Sequence, residues 1–257
     1  MQETAEQARE RLGTDVVMIA HADRMLTALD PIIGVAGKDA DVRFELTSSE
    51  ITCGVKDEGQ TMMCIMEAST GCEEDSALFD YSIEGDVTVA FSLEHMTAAL
   101  KAFGDEAVYI TQIGARLCLW NANRRRGFSM AGGQVDVPRD LTMTPEVELE
   151  IQQDKLKELT SLEKIGKTLH IRIDKGRLVF ACSSDVETAE IYVPTVYTSD
   201  MTSSFGTELV ANIVKRIHTK DGENISLKLV TDAPLRMSFS YMGADYRVYI
   251  APRILGV

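Results

Sequence analysis

Seven cations are spaced to fall on the polar faces of expected helices: Arg24, Lys101, Lys155, Lys157, Lys164, Lys215 and Arg216. Lys and Arg set on a surface without Arg, Asn and Gln grouped toward base edges attract phosphate and read no sequence. Other chemistry has little support. Carboxylate neighbours such as Glu73 with Glu74, or Asp185 with Glu187, sit in polar stretches as solvated charge, and His21, His95, His170 and His218 lack metal-ligand spacing. No G-x-S-x-G, H-E-x-x-H or Cys–His signature occurs, so neither an enzyme nor a cofactor or metal site is expected.

The charge balance sharpens the point. The chain carries −14 overall, which argues against a phosphate-binding protein if taken alone. The four expected helical windows, 20–35, 92–103, 152–167 and 206–220, carry −1, 0, +1 and +2, so they total +2 and leave −16 for the rest. The field at the surface facing a ligand matters more than the sum over the molecule. The lining remains thin, because Asp23 and Asp30 stand on the first helix.

These windows belong to a pattern that occurs four times: an apolar helix, a Gly-marked exit, a strand, a tight polar turn and a second strand. In the second copy Leu93, Met96, Leu100 and Phe103 make one helical face and Gly104 ends it. In the third, Leu156, Leu159 and Leu162 form the buried stripe, placing Lys157, Ser161 and Lys164 opposite. In the fourth, Leu209, Ile213 and Ile217 point inward and Lys215 and Arg216 outward. Strands are also expected over 61–68 and 79–90, separated by a polar loop around Gly71 to Ser76. Asp174-Lys175-Gly176 and Asp221-Gly222 have hairpin-turn chemistry.

Residues 1–14 read as a frayed or helical extension outside the core, residues 15–131 as one domain, 132–146 as a Gly- and Pro-containing connecting loop, and 147–257 as a second, similar domain. Arg124, Arg125 and Arg126 read as an extra phosphate contact, an interface element or a solvated turn, the last being favoured. The fold class is α+β, mainly antiparallel sheet with two helices per half; the Gly-rich loop of a doubly wound sheet is missing. With 257 residues, 45% of them hydrophobic, the chain has enough apolar material for two ordinary cores. Its apolar runs stop short of the ~20 residues of a membrane span and its start is charged, so an intracellular protein with no membrane partner is expected. Cys53, Cys64, Cys72, Cys118 and Cys182 are an odd set with no C-x-x-C pair, which fits reduced, buried thiols.

Several short motifs, in order, resemble a DNA sliding clamp of the proliferating cell nuclear antigen (PCNA) family, archaeal or viral in type. They are Val55-Lys56-Asp57, Leu162-Glu163-Lys164-Ile165-Gly166, Ser204-Phe205, Asp232-Ala233-Pro234-Leu235 and the closing Tyr249-Ile250-Ala251-Pro252-Arg253-Ile254. The resemblance spans Val16 to Ile254 and implies two similar clamp domains per subunit, with three subunits closing into a pseudo-sixfold ring whose helices line the hole. The implied function is a processivity factor that encircles double-stranded DNA and tethers replication and repair proteins. A heteromeric or checkpoint-type ring member is the alternative. The compartment would be cytoplasm or nucleoid in an archaeal or viral setting and the nucleus in a eukaryotic one.

The same resemblance implies a subunit interface between Gly127, Phe128, Ser129, Met130 and Ala131 of one copy and Thr188, Ala189, Glu190, Ile191, Tyr192 and Val193 of the next. It also implies a pocket for the clamp-binding peptides of a DNA polymerase, clamp loader and other proteins. That pocket would comprise Met63, Val135, Val137, Leu141, Pro234, Ile250, Ala251 and Pro252.

Overall fold

The computed structural model describes residues 4–69, 78–132, 137–198, 200–219 and 223–253. The Gly71 to Ser76 loop with Glu73 and Glu74, Cys72, Val135, Lys220, the Asp221-Gly222 turn and Ile254 lie outside the described residues.

A helix, α1 (Ala5–Leu12), precedes β1 (Val16–His21), α2 (Ala22–Ala36), β2 (Asp41–Leu46), β3 (Glu50–Lys56) and β4 (Met62–Ser69). There follow β5 (Asp80–Ile83), β6 (Val87–Ser92), α3 (Leu93–Lys101), β7 (Ala107–Ile113), β8 (Arg116–Trp120) and β9 (Arg125–Ser129). The chain continues with β10 (Val147–Gln152), then α4 (Gln153–Lys157), which runs into a 3-10 helix over Glu158–Lys164. After these come β11 (Thr168–Asp174), β12 (Arg177–Ser183), β13 (Thr188–Pro194), β14 (Thr202–Gly206), α5 (Thr207–Val214), β15 (Asn224–Leu229), β16 (Leu235–Tyr241) and β17 (Ala244–Ile250).

Two compact units result. One comprises Met1–Val55, Ile65–Arg139 and Ser240–Tyr246; the other comprises Lys56–Cys64, Asp140–Phe239 and Arg247–Val257. The strand pairings repeat between them, all antiparallel. β1 pairs with β7 as β10 does with β15, β2 with β6 as β11 does with β14, β2 with β3 as β11 does with β12, and β7 with β8 as β15 does with β16. The duplication expected from the repeated helix and hairpin is therefore present as ladder topology. In the first unit α2 packs on α3; in the second α5 packs on α4 and its 3-10 continuation.

Local chemistry explains the helices. Ser92 caps α3 through the His95 amide, Leu93, Met96, Leu100 and Phe103 are buried, and Gly104 takes the left-handed backbone (φ 65°) that turns the chain toward β7. In the hairpin between β11 and β12, Lys175 and Gly176 both have positive φ (49° and 74°), as a primed two-residue turn requires. Cys53, Cys64, Cys118 and Cys182 are thiols in no disulfide and are buried, as expected for them.

Four expectations change. The window over 152–167 is α-helical only to Lys157, because leucines at 156, 159 and 162 repeat every third residue, the period that 3-10 geometry eclipses on one face. All three are buried, with Lys157, Ser161 and Lys164 exposed opposite. In α5 the inward residues are Val210, Ala211, Ile213 and Val214, followed by Ile217. Leu209 instead stays half-exposed, since the helix begins at Thr207 and rotates it off the core stripe. Arg125 and Arg126 are not in a turn; they begin β9, where they oppose Trp120 and Leu119.

The fourth change concerns the N-terminus. α1 is a docked helix: Thr4 and Gln7 form a reciprocal capping box, and Gly13 ends the helix in the left-handed region. Ala5 and Ala8 are fully buried in a cluster with Val17, Ile19 and Tyr109. The Ala5 amide donates to Asp80 Oδ2 (2.9 Å), and Arg9 Nε donates to Ser82 Oγ (2.9 Å). This explains why β1 is apolar at consecutive positions rather than alternating, since α1 covers the face that would otherwise be wet.

Candidate nucleic-acid interface

Of the seven expected phosphate-facing cations, Lys101, Lys157, Lys164 and Lys215 are exposed, and Arg24, Lys155 and Arg216 are half-buried. Their freedom differs. Lys155 Nζ lies 2.6 Å from Glu158 Oε2, Lys215 is paired with Glu163, and Arg216 Nε donates to Asn212 Oδ1 at 3.2 Å. Among the described residues, Lys101, Lys157 and Lys164 are exposed cations with no carboxylate partner. Helix spacing alone did not reveal which cations were already neutralised. Glu158 is three residues from Lys155, a spacing visible in sequence, whereas Glu163 reaches Lys215 from another element.

The two segments expected to form an interface are edge strands. In the first unit the strand order is β5-β1-β7-β8-β9, ending on β9; in the second it is β13-β12-β11-β14, starting on β13. Met130 donates its amide to the Ala115 carbonyl (2.9 Å), so in β9 the alternation turns the backbone of Arg125, Gly127 and Ser129 outward. In β13, Thr195 donates to Gly176 (2.9 Å) and Ser184 to the Glu187 carbonyl (2.8 Å), which leaves the backbone of Thr188, Glu190 and Tyr192 outward.

The two edges also differ in charge. Beside β9 lie Arg116, Arg125 and Arg126; β13 and its leading turn carry Asp185, Glu187 and Glu190, the last paired with Arg172, while Arg177 of β12 lies over the Tyr192 ring. The Tyr192 hydroxyl and the Arg172 guanidinium donate to Glu190 and hold its carboxyl below the usual range, so it stays an anion. Val186 and Val196, at either end of β13, are 95% and 92% exposed.

Of the expected peptide pocket, Val137 belongs to the first unit and Met63, Leu141, Pro234, Ile250, Ala251 and Pro252 to the second. Met63 and Ile250 are buried, Pro234, Ala251 and Pro252 half-buried, and Leu141 exposed. Among the described residues, Ala251 and Pro252 line one groove of about 680 Å³, together with Leu209, Glu163, Lys167 and Arg253. The closing motif is held in place: Ala251 donates its amide to Thr61 (2.7 Å), Arg253 to Ser204 (2.6 Å), and the Arg253 guanidinium to Lys167 O and Thr168 Oγ1.

The connecting segment is anchored within each unit. In the first, Val137 and Pro138 pack on β3 at Gly54, where a Cβ would lie 2.6 Å from Pro138 Cδ. In the second, Tyr249 donates to Asp140, and Arg247 Nε lies 3.2 Å from the other carboxylate oxygen. Burial and this hydrogen bond push the Tyr249 phenol up to about 12. Sequence reasoning missed both Gly54 and Asp140, because their partners are remote in the chain.

No protein-family model and no curated protein matches this sequence. Solved structures do. A. fulgidus PCNA, determined with the C-terminal region of FEN-1 bound, superposes with a TM-score of 0.81 at 16% identity, covering 94% of this chain and 100% of that one. PCNA from Entamoeba histolytica gives 0.78 at 15% identity over 93% and 98%, and PCNA from Thermococcus kodakaraensis 0.75 at 14% over 93% and 100%.

Proposed function

We propose that this chain, which has the fold of the PCNA sliding clamps, is the subunit of a ring that encircles duplex DNA and tethers replication and repair proteins to it. The observation that carries the reading is the fold itself, matched over nearly the whole chain at TM-scores of 0.75 to 0.81. Such a protein does no chemistry; it acts by topology, and its setting is intracellular.

Charge gives independent support. A clamp must hold DNA without choosing a sequence, and Lys101, Lys157 and Lys164 offer phosphate contacts with no base-reading grouping. Three contacts of this kind hold duplex loosely, which suits a ring that slides. Partner peptides would dock near Leu141, Pro234, Ala251 and Pro252, the more accessible members of the expected pocket. Capture of a FEN-1 segment by the A. fulgidus protein is the precedent.

The ring would close head to tail, β9 of one copy on β13 of the next, a heterologous contact that covers two open edges. A basic edge and an acidic edge on the same chain favour self-association over a heteromeric ring. The test is solution mass with DNA retention: a particle near three times 28.3 kDa that stays on circular DNA and leaves linear DNA supports the reading. A monomer at every concentration that assembles only with a different clamp subunit favours the heteromeric alternative.

A further inference from the structure

α1 packs over β5 and β1, reaches Tyr109 of β7 and extends its last turn toward β8. Beyond it, on the same face, lies a groove of about 480 Å³ whose lining includes Arg11, Leu12, Ile113, Trp120, Arg124 and Arg125. Its floor is apolar and wet: Ile113 is 50% exposed and Leu12 38%. Its rim is cationic, and among the described residues no carboxylate lines it, in a chain with 40 acidic residues against 26 basic.

The parts are held in place. Gly13 (φ 61°) reverses the chain after α1, and the Thr14 hydroxyl donates to the Gln112 carbonyl at 3.0 Å, which fixes Arg11 and Leu12 over β7 and β8. Trp120 stacks on Tyr109 with centroids 4.4 Å apart, and the Arg11 guanidinium stands 5.6 Å above the Trp120 ring. Arg124 gives one N–H to the Ala102 carbonyl and Arg125 one to Cys118 Sγ at 3.8 Å. A guanidinium has five N–H donors, so both retain donors for an incoming anion.

We propose that this groove is a docking site for an acidic peptide segment of a partner protein that carries an apolar anchor side chain. Carboxylates match the planar fork of arginine two oxygens to two N–H groups. An apolar anchor would cover Leu12 and Ile113, which a phosphodiester backbone would leave wet. The volume lies within the ~300–1,000 Å³ usual for binding pockets. Every element of the groove belongs to one unit of one chain, and because Arg125 also stands on the β9 edge, solution mass is followed to separate peptide docking from ring closure.

Trp120 is the only tryptophan and reports occupancy directly. The full chain is titrated with a short peptide of glutamates interrupted by leucines at helical spacing, and solution mass is measured in parallel. The expected result is a saturable shift in Trp120 emission that weakens with added salt. Affinity should fall roughly tenfold or more in the double variant Arg11→Glu/Arg125→Glu, since each change replaces a charge-assisted bond by repulsion. Ile113→Glu, at an exposed position, should weaken binding without disturbing the fold and serves if the double variant misfolds. The proposal is overturned by no emission shift, or by equal binding of a lysine-for-glutamate peptide or an all-glutamate peptide. It is overturned equally by preferential binding of ATP or a single-stranded oligonucleotide, or by an emission change that follows protein concentration alone.

Discussion

The Tyr249 hydroxyl, near the end of β17, donates to the carboxylate of Asp140 in the connecting segment. Arg236 lies over the Tyr249 ring at 5.7 Å and Arg247 faces the same carboxylate, so the phenol, the anion and two guanidiniums form one polar anchor. The residue it presents next in the chain is Leu141, 41% exposed.

That anchor has a pH signature. Burial and then the Asp140 bond raise the Tyr249 phenol to about 12 from the ordinary 10, so the folded state favours its neutral form. The stability it contributes is fully present below pH 10 and is lost as pH climbs through about 12. An ultraviolet absorbance titration of Tyr249→Phe should show one late-ionising phenol fewer than the parent, with Tyr192 still raised by its bond to Glu190. The same variant should lose about 1 kcal/mol of stability at pH 7, one hydrogen bond's net value. An unchanged number of late-ionising phenols in Tyr249→Phe would sink the assignment.

Gly166, just after the 3-10 helix, has no room for a side chain. A Cβ there would lie 2.4 Å from the Ser183 carbonyl oxygen and 3.1 Å from Cys182 Sγ, so backbone must move. Gly166→Ala should cost about 2 kcal/mol or more and lower the melting temperature by several degrees. Gly132→Ala, with nothing within 4 Å and no positive φ, is the neutral control.

Edge pairing is tested by removing one donor. The Gly127 amide faces away from β8, so Gly127→Pro leaves the internal ladder intact while deleting an outward N–H and adding a ring on that side. Sedimentation should show assembled protein falling to 28.3 kDa with little change in melting. An unchanged mass would exclude pairing through β9.

The cations should divide by their partners. Lys101→Ala, Lys157→Ala and Lys164→Ala together should flatten the salt dependence of DNA retention by about 0.9 in log–log slope for each lysine that contacts a phosphate. Lys155→Ala and Lys215→Ala, already neutralised by Glu158 and Glu163, should change it much less. Equal effects from both sets would sink the distinction.

Docking of α1 rests on two alanines. Ala8→Glu would bury a charge with no partner and should release the helix, making Arg9 and Arg11 sensitive to trypsin while the remaining strands keep their circular dichroism. Continued trypsin resistance would show that α1 is held by other contacts.

Much of the architecture was legible because its signals are local. Leu93, Met96, Leu100 and Phe103 announce α3 by spacing alone, and Asp174-Lys175-Gly176 announces its hairpin because only such residues adopt positive φ cheaply. The signals for α1 were present too: Thr4 and Gln7 at capping-box spacing, Ala5, Ala8 and Leu12 on one face, and Gly13 at the exit. They were outweighed by the charge of the segment. What its small face would cover became clear only once the unbroken apolar run of β1 had a sheet around it.

The sequence by itself determined the repeated helix and hairpin units and the paucity of acid on their helices, because periodicity, turn preference and charge depend on residues a few positions apart. The tertiary structure alone decided which lysines remain free, which backbone edges stay open, where Asp140 and Gly54 fasten the connecting segment, and that α1 and β8 enclose a cationic groove. Each of those depends on atoms brought within a few ångströms from distant parts of the chain, and no local spacing encodes that distance.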